Sequence, residues 1–384
     1  MKALFQFILL WLAGLGASTQ YAKLSLALPA LEAYYGSAGA RLGLLVSLLS
    51  FVGLAFGLGA ASVVAALGFR RMLITALVLG AGVALLESLL PPLPVMFALR
   101  LVEGVSHLLL VVVIPTLIAS IASERLRAVA MTLWGTFFGV GFALVGAFGL
   151  PLLEARGLSA FLVAHAVWMG LMACLVVMLV EKGRASREER AWHPAFFSLA
   201  LHREVYTSIP IATSALVWLF YTATYVSALT LTPKWVGADE AVALAALLPL
   251  VSIVSSVTIG NLLLLRFPAV TVVKTGLVAA LLTVMAMAFS GPVASLLMAL
   301  FASIGLVQGA SFAVVPELNR DTHDRVLANG AMAQTGNIGN LVGTPLLLML
   351  FQSGGKAAAL LYLGACYLAG LGVLVGLGWL ARRQ

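Results

Sequence analysis

Apolar residues dominate this chain in long runs, and each run is long enough to cross a lipid bilayer as a helix. A membrane helix needs about twenty mostly apolar residues, and about twelve runs meet that length. The short alternating segments of membrane β-barrels do not occur in the sequence. The runs predict transmembrane helices at 4–31, 41–66, 72–90, 95–121, 128–152, 158–180, 205–232, 239–265, 269–289, 292–316, 327–351 and 357–380.

One long polar segment, residues 181–204, separates the first six runs from the last six. We therefore predict an N-terminal bundle at 1–180, a cytoplasmic linker at 181–204 and a C-terminal bundle at 205–384. Two short repeats support this division: RLVEGVS in the fourth run matches GLVQGAS in the tenth, and GAFGLPLL at 146–153 resembles NLVGTPLL at 340–347. Parallel repeats occur in known transporters. The predicted fold class is an all-α membrane protein with twelve transmembrane helices in two pseudo-symmetric six-helix bundles.

Composition and charge agree with a lipid environment. The chain is 62% hydrophobic and 9% charged, whereas a soluble domain carries about a quarter charged residues. Its net charge of +8 lies in the gaps between runs rather than in a basic stripe with aromatic residues, which argues against nucleic acid as a partner. With the N-terminus inside, sixteen Lys and Arg residues lie on the cytoplasmic side and four outside. This bias predicts cytoplasmic termini in a multi-pass protein of a bacterial-type inner membrane.

The fourth run, VMFALRLVEGVSHLLLVVVIP, carries charges that lipid would not accept. Helical periodicity places Arg100, Glu103, Gly104 and His107 on one face. A charge at the centre of a membrane helix costs roughly 2.5–3.5 kcal/mol, so the Arg–Glu pair uses most of the roughly 5–9 kcal/mol that the apolar residues supply. Two interpretations follow: a functional site, because intramembrane ionisable groups are functional candidates, or an Arg–Glu pair that locks two helices together.

Other runs carry polar faces with two interpretations each. Lys23 shares a face with Gln20 and lies at about the depth of Arg100, yet it could also extend to the outer interface. The aromatic stripe around Trp218 fits packing or ligand contact, and the amides of the tenth and eleventh runs fit hydrogen bonds between helices or a cavity lining. The candidate substrate-binding residues are Arg100, Lys23, Gln20, His107, Tyr221, Tyr225, Gln308, Gln334 and Asn337.

Enzyme signatures are absent from the sequence. It contains no nucleotide-binding loop, nucleophile elbow or HExxH motif, and Cys174 and Cys366 lack metal-ligand spacing. We therefore predict no enzyme activity, no cofactor and no metal.

The fourth run resembles that of the major facilitator superfamily, which carries R-x-x-[QE]-G at the positions of Arg100, Glu103 and Gly104. The resemblance covers the whole chain, and GFRR at 68–71 is similar to the end of the family's motif between spans two and three. Ala65 replaces the Asp of that motif. The fifth span also lacks the internal Gly-Pro of the family's antiporters.

A narrower resemblance joins RLVEG, IP at 114–115 and LWGT at 133–136 to the subgroup that includes bacterial cyanate and nitroimidazole transporters. It implies a small anion or small polar molecule as the substrate.

The family resemblance implies that spans one, four, seven and ten line a cavity in a monomer, and that Gly68, Arg70 and Arg71 form a gating loop. Our first hypothesis is a secondary active transporter that moves a small, anionic solute by alternating access, coupled to protons. In it Arg100 holds the anion, Lys23 adds positive potential, and Glu103 and His107 carry the proton. The alternatives are a proton-driven efflux pump for amphipathic compounds and a non-transporting membrane sensor or assembly protein.

Overall fold

The structure is a computed structural model that describes residues 2–36, 39–123, 130–131, 133–180, 199–320 and 322–381. Every regular element in these ranges is helical, and none of them is a β-strand, which confirms the prediction of an all-helical protein. Eight of the described helices are long and apolar enough to cross a membrane, or nine if the bent pair Ala40–Ser47 and Ser50–Gly57 is one span. Twelve spans and cytoplasmic termini stay predictions.

The helices have clear bounds along the described chain. In chain order they are α1 Lys2–Leu26, α2 Leu28–Tyr35, α3 Ala40–Ser47, α4 Ser50–Leu67, α5 Phe69–Glu87, α6 Leu93–Ile121, α7 Phe137–Leu144, α8 Leu150–Leu179, α9 Leu199–Thr207, α10 Ile209–Trp235, α11 Ala238–Ser255, α12 Asn261–Leu264, α13 Ala269–Ser290, α14 Ala294–Leu318 and α15 Thr322–Ala381, with π-helical turns at Val145–Gly149 and Ser256–Gly260.

Contacts divide the chain into two compact units. The first contains the described parts of Met1–Tyr35 and Phe51–Phe197, and the second those of Gly36–Ser50 and Ser198–Gln384. The described residues of this segment, 36 and 39–50, therefore pack with the C-terminal helices, although the sequence placed them in the N-terminal bundle. The predicted linker at 181–204 falls largely outside the described residues, so that division stays a prediction.

The core of the first unit lies between α1, α5, α6 and α8. Helix α1 packs against α6, α7 and α8, and α5 packs against α6 and α8. Leu73 and Leu77 of α5, Leu110 of α6 and Met169 of α8 are buried in one apolar cluster. Polar residues on the same helix faces also lie in the interior of the unit. A charged side chain there loses its hydration and needs an oppositely charged partner.

Two glycines break long helical segments. Gly157 in α8 has φ 80° and Gly355 in α15 has φ 63°. Residues with a β-carbon rarely adopt this left-handed conformation, so glycine is required at both points. The breaks fall between the predicted fifth and sixth spans and between the eleventh and twelfth.

In the second unit, the seventh predicted span differs from its expected bounds. The sequence predicted a span at 205–232, whereas α9 ends at Thr207 and α10 begins at Ile209. Ser208 between them is extended, and Pro210 lies in the first turn of α10. Proline is favoured there because the missing N–H has no partner in a first turn anyway.

Helix α3 packs against α15 in the second unit. The hydroxyl of Ser47 donates to the carbonyl of Leu341 at 2.9 Å, and Gly43 lies against the backbone of Pro345. Helix α3 is therefore held against α15 by a side-chain hydrogen bond and a close backbone contact.

Candidate functional site

Four charged side chains meet inside the first unit, and we call them the charge cluster: Lys23 of α1, Glu87 of α5, and Arg100 and Glu103 of α6. The amine of Lys23 donates to Glu87 Oε2 and, at 2.7 Å, to Glu103 Oε1. Arg100 Nη1 donates to Glu103 Oε2 and lies 3.8 Å from Glu87 Oε1. When all four groups are ionised, two positive and two negative charges balance.

The charge cluster is closed to the surroundings. Lys23 is 1% exposed and the other three side chains are 0% exposed. A buried charge without a partner is strongly destabilising, whereas a well-paired one is tolerated. The pairing therefore explains how an apolar helix such as α6 keeps Arg100 and Glu103.

The ends of two helices and one face of a third bring the four residues together. Arg100 and Glu103 lie three residues apart on α6 and so share a face. Lys23 lies in the last turn of α1, where the helix dipole favours a cation, and Glu87 is the last residue of α5. Beyond it the chain turns through Leu90, which has φ 51°, and α6 begins at Leu93.

A chain of hydrogen bonds extends from the charge cluster between α1, α5 and α6. Arg100 Nη2 donates to the carbonyl of Gln20 at 3.1 Å, and Gln20 Nε2 donates to the hydroxyl of Ser106 at 2.9 Å. Ser106 in turn donates to the carbonyl of Ala76 at 2.6 Å. The predicted residue Gln20 therefore positions Arg100 through its backbone and ties α1 to α6 through its side chain.

Two histidines contact α1 from neighbouring helices. His107 Nδ1 lies 3.1 Å from the carbonyl of Ala17, and since a carbonyl only accepts, Nδ1 carries the hydrogen. His165 Nε2 lies 3.1 Å from the hydroxyl of Thr19. The sequence offered no partner for His165, because nothing in the pattern of α8 shows which helix faces it.

Glu87 is the member of the charge cluster that the sequence analysis missed. It lies inside the predicted third span, 72–90, near its end, and an ionisable group within a membrane span is a functional candidate there as in α6. An acidic residue within an apolar run was therefore the signal that could have found it.

Comparison with known proteins decides the family. The sequence model of the Major Facilitator Superfamily matches residues 7–344. The chain belongs to the major facilitator superfamily. Among solved structures, it is similar to a bacterial homolog of the human lysosomal transporter Spinster, in an inward-facing and unoccupied conformation, with a TM-score of 0.72 and 15% identity over 99% of this chain and 95% of that one. At this identity the similarity shows the fold alone. None of the curated proteins compared with the chain matches it.

Membership in the superfamily confirms the family prediction and the broad function. The protein is an integral, multi-pass membrane transporter that works by alternating access on a small-molecule substrate, and it is not an enzyme. The narrower cyanate-transporter-like subgroup stays a prediction.

The GFRR segment, residues 68–71, which resembles the end of a superfamily motif, lies at the start of α5. Gly68 precedes the helix with φ 93°. Arg70 Nε donates to the carbonyl of Val180 at 2.6 Å, and its Nη2 donates to that of Val177 at 2.7 Å. A cation at a helix C-terminus satisfies carbonyls that lack partners within the helix. Arg70 thus ties the start of α5 to the end of α8, while Arg71 is exposed.

The predicted aromatic residues lie in the interior of the second unit. Trp218 stacks on Tyr221 with ring centroids 4.6 Å apart, and Tyr221 is 5.5 Å from Tyr225. Tyr225 makes an edge contact with Phe301 at 5.4 Å. Tyr221 is 4% exposed and Tyr225 2%, so these rings are buried against one another and against Phe301, and their role as substrate-binding residues stays a prediction.

The predicted amides of the second unit have separate partners. Gln308 Oε1 accepts from Ser252 at 3.4 Å, and Asn337 Nδ2 donates to the carbonyl of Ala333 on its own helix at 2.8 Å. Gln334 Oε1 accepts from the hydroxyl of Tyr206 on α9 at 2.9 Å. These residues all belong to the second unit, whereas the charge cluster lies entirely within the first.

Proposed function

We propose that this superfamily transporter moves a small monovalent anion together with a proton, and that the charge cluster couples the two. The observation that carries the proposal is the balance of charge: two cations and two carboxylates, all buried, in contact with one another. Adding one proton to either carboxylate changes the net charge of the cluster from zero to +1.

The coupling follows from electrostatics. With all four groups ionised, the two carboxylates repel an approaching anion while the two cations attract it. The net electrostatic free energy of binding is therefore small. With one carboxylate protonated, one positive charge is left uncompensated in a medium of low dielectric constant, where charges interact far more strongly than in water. The anion therefore binds after the proton and leaves when the proton leaves.

Four predicted residues of the first unit have a role in this scheme. Arg100 and Lys23 supply the positive charge, and Gln20 holds the guanidinium in place through its carbonyl. Glu103 belongs to the coupling site through its bonds to both cations. His107, on the same helix, stays a candidate for substrate contact or proton transfer.

We also propose twelve spans, with cytoplasmic termini, in a monomer of a bacterial-type inner membrane. Two of the eight long helical segments contain a break at Gly157 or Gly355 and so fit two spans each. The bent pair Ala40–Ser47 and Ser50–Gly57 adds another, and we assign the remaining one to α1, which is 25 residues long. The distribution of Lys and Arg supports the orientation.

Export of amphipathic compounds is the alternative function, and it rested on the aromatic residues around Trp218. Their mutual stacking, and the edge contact of Trp218 with Phe312 at 4.9 Å, favour packing over substrate binding. We therefore place anion transport first.

The test has two stages. Purified protein is first screened by thermal shift against cyanate, nitrate and thiocyanate, and against amphipathic organic cations, at acidic and at alkaline pH. We expect a monovalent anion to raise the melting temperature most at acidic pH. Stabilisation by the amphipathic cations alone would favour export, and anion stabilisation that is equal at all pH values would contradict coupling.

In the second stage, uptake of the stabilising anion is measured in proteoliposomes with an inward proton gradient. A protonophore should abolish accumulation. Arg100→Gln should abolish uptake, whereas the matched control Arg41→Gln, at an exposed arginine outside the cluster, should leave it unchanged.

A further inference from the structure

The two carboxylates of the charge cluster are held differently. Glu103 accepts a hydrogen bond on each oxygen: Oε1 from Lys23 at 2.7 Å and Oε2 from Arg100. Glu87 accepts one on Oε2, from Lys23. Among the described residues, none donates to Glu87 Oε1, although this atom is buried. Its separation from Arg100 Nη1 is 3.8 Å, which is beyond hydrogen-bond length.

This asymmetry decides which carboxylate can be protonated at the lower free-energy cost. A hydrogen bond from a cation stabilises an ionised carboxylate, and such charge-assisted bonds are the stronger kind. A proton on either oxygen of Glu103 would displace one of them. A proton on Glu87 Oε1 displaces none, because that oxygen has no donor among the described residues. We infer that Glu87 is the residue that takes up the coupled proton, an inference that rests on the proposed coupling function.

The groups around Glu87 act in opposite directions. Lys23 from α1 and Arg100 from α6 oppose its protonation, and Glu103 from α6, a like charge, favours it. Tyr35, beyond the end of α1, also interacts electrostatically with Glu87. On α8, His165 contacts the hydroxyl of Thr19 of α1. Because both cations bind Glu103, the combined field directs the proton to the other carboxyl.

Glu87 and Glu103 also differ in their positions along their helices. Glu87 is the last residue of α5 and is followed by the turn at 88–92, whereas Glu103 lies inside α6, which runs from Leu93 to Ile121. A proton donated by hydronium, which becomes water, forms a neutral carboxylic acid at Glu87 Oε1.

Infrared difference spectroscopy of the purified protein tests the assignment without any substrate. Spectra are recorded from acidic to alkaline pH, and the carbonyl band of a protonated carboxylic acid is followed in wild type, Glu87→Gln and Glu103→Gln. We expect a titrating band that is lost in Glu87→Gln and kept in Glu103→Gln. Glu87→Asp, which keeps a carboxyl group in case the Gln variant does not fold, should shift the frequency or midpoint of the band.

Two results would overturn the assignment. A band that is lost in Glu103→Gln and kept in Glu87→Gln would move the proton to Glu103 and leave the proposed coupling intact. If the band is unchanged in Glu87→Gln, Glu103→Gln and Glu87→Asp, neither carboxyl is the group that takes up the proton. The uptake assay alone then decides whether transport is proton-coupled.

Discussion

Helices α6 and α14 carry the same short pattern and use it in different ways. RLVEGVS in α6 matches GLVQGAS in α14, so Gly305 takes the place of Arg100 and Gln308 that of Glu103. In α6 these positions hold buried charges that contact α1 and α5. In α14, a β-carbon on Gly305 would lie only 2.9 Å from Ser252 Cα. The second unit therefore uses the position for close helix packing.

The difference shows that matching positions in the two helices can keep the same burial while their side chains make different interactions. Ser106 and Ser311 match in the pattern and are both buried. Ser106 donates across to Ala76 of α5, whereas Ser311 donates to Val307 of its own helix. Within the matched segments, the ionisable groups occur only in the first unit, where their partners on neighbouring helices are also charged. We therefore expect substitutions in the two helices to fail for different reasons.

The largest effect is expected for Arg100→Ala. It leaves two buried carboxylates against Lys23 alone, and removing one partner of a buried pair costs about 3–5 kcal/mol. We expect a strong fall in melting temperature and no anion uptake. The double variant Arg100→Ala with Glu103→Ala restores the balance of charge, so it should recover much of the stability but not the uptake. If Arg100→Ala is as stable as wild type, pairing does not hold α1, α5 and α6 together.

The second-largest effect is expected for Gln308→Glu, which gives α14 the carboxylate that α6 carries at the matching position. Gln308→Glu places a carboxylate beside Ser252, without a cation among its described contacts, at a cost of roughly 2.5–3.5 kcal/mol for a charge inside a membrane helix. We expect a lower melting temperature at neutral pH that recovers at acidic pH, where the new carboxyl is protonated.

The same variant also predicts the pH dependence of anion uptake. Folded Gln308→Glu protein should keep the wild-type pH profile, because the coupling carboxyls lie in the first unit. A shifted profile would show that the second unit also sets proton coupling.

A smaller effect is expected for Gly305→Ala. The added methyl group overlaps the backbone of Ser252, and overpacking of this kind costs typically about 1–3 kcal/mol. Gly82→Ala in α5 is the matched control, because a β-carbon there meets nothing within 4 Å. It should be neutral or stabilise by about 0.4–1 kcal/mol. Equal melting temperatures for the two variants would contradict the close contact between α11 and α14.

The smallest effect is expected for Tyr206→Phe. It removes one side-chain contact between α9 and Gln334 of α15 and leaves another, since His202 of α9 also lies 3.0 Å from Gln334 Nε2. A single hydrogen bond contributes about 0.5–1.5 kcal/mol. Uptake at saturating anion should be unchanged. Tyr34→Phe is the control, because the Tyr34 hydroxyl is exposed and its bond to Leu90 is 3.3 Å long. A large loss of uptake in Tyr206→Phe would instead give α9 a role in transport.

Local pattern predicted much of the first unit, and the limits of that prediction are physical. Arg100 and Glu103 were expected on one face of a helix because helical periodicity alone decides it. Lys23 was expected at the same depth, but its bonds to Glu87 and Glu103 depend on which helix ends meet. Tyr221 and Tyr225 fitted either a packing face or a binding face, since periodicity does not distinguish a face that binds a ligand from one that packs against Phe301.

By itself the sequence determined the class of the protein. Its long apolar runs require lipid as solvent, and the R-x-x-E-G motif in α6 indicated the superfamily. Only the tertiary structure decided that Glu87 joins Lys23, Arg100 and Glu103, and that one oxygen of Glu87 lacks a donor among the described residues. The reason is that burial and periodicity are properties of one segment. The partner of a buried charge is set by how α1, α5 and α6 pack, and no single segment encodes that.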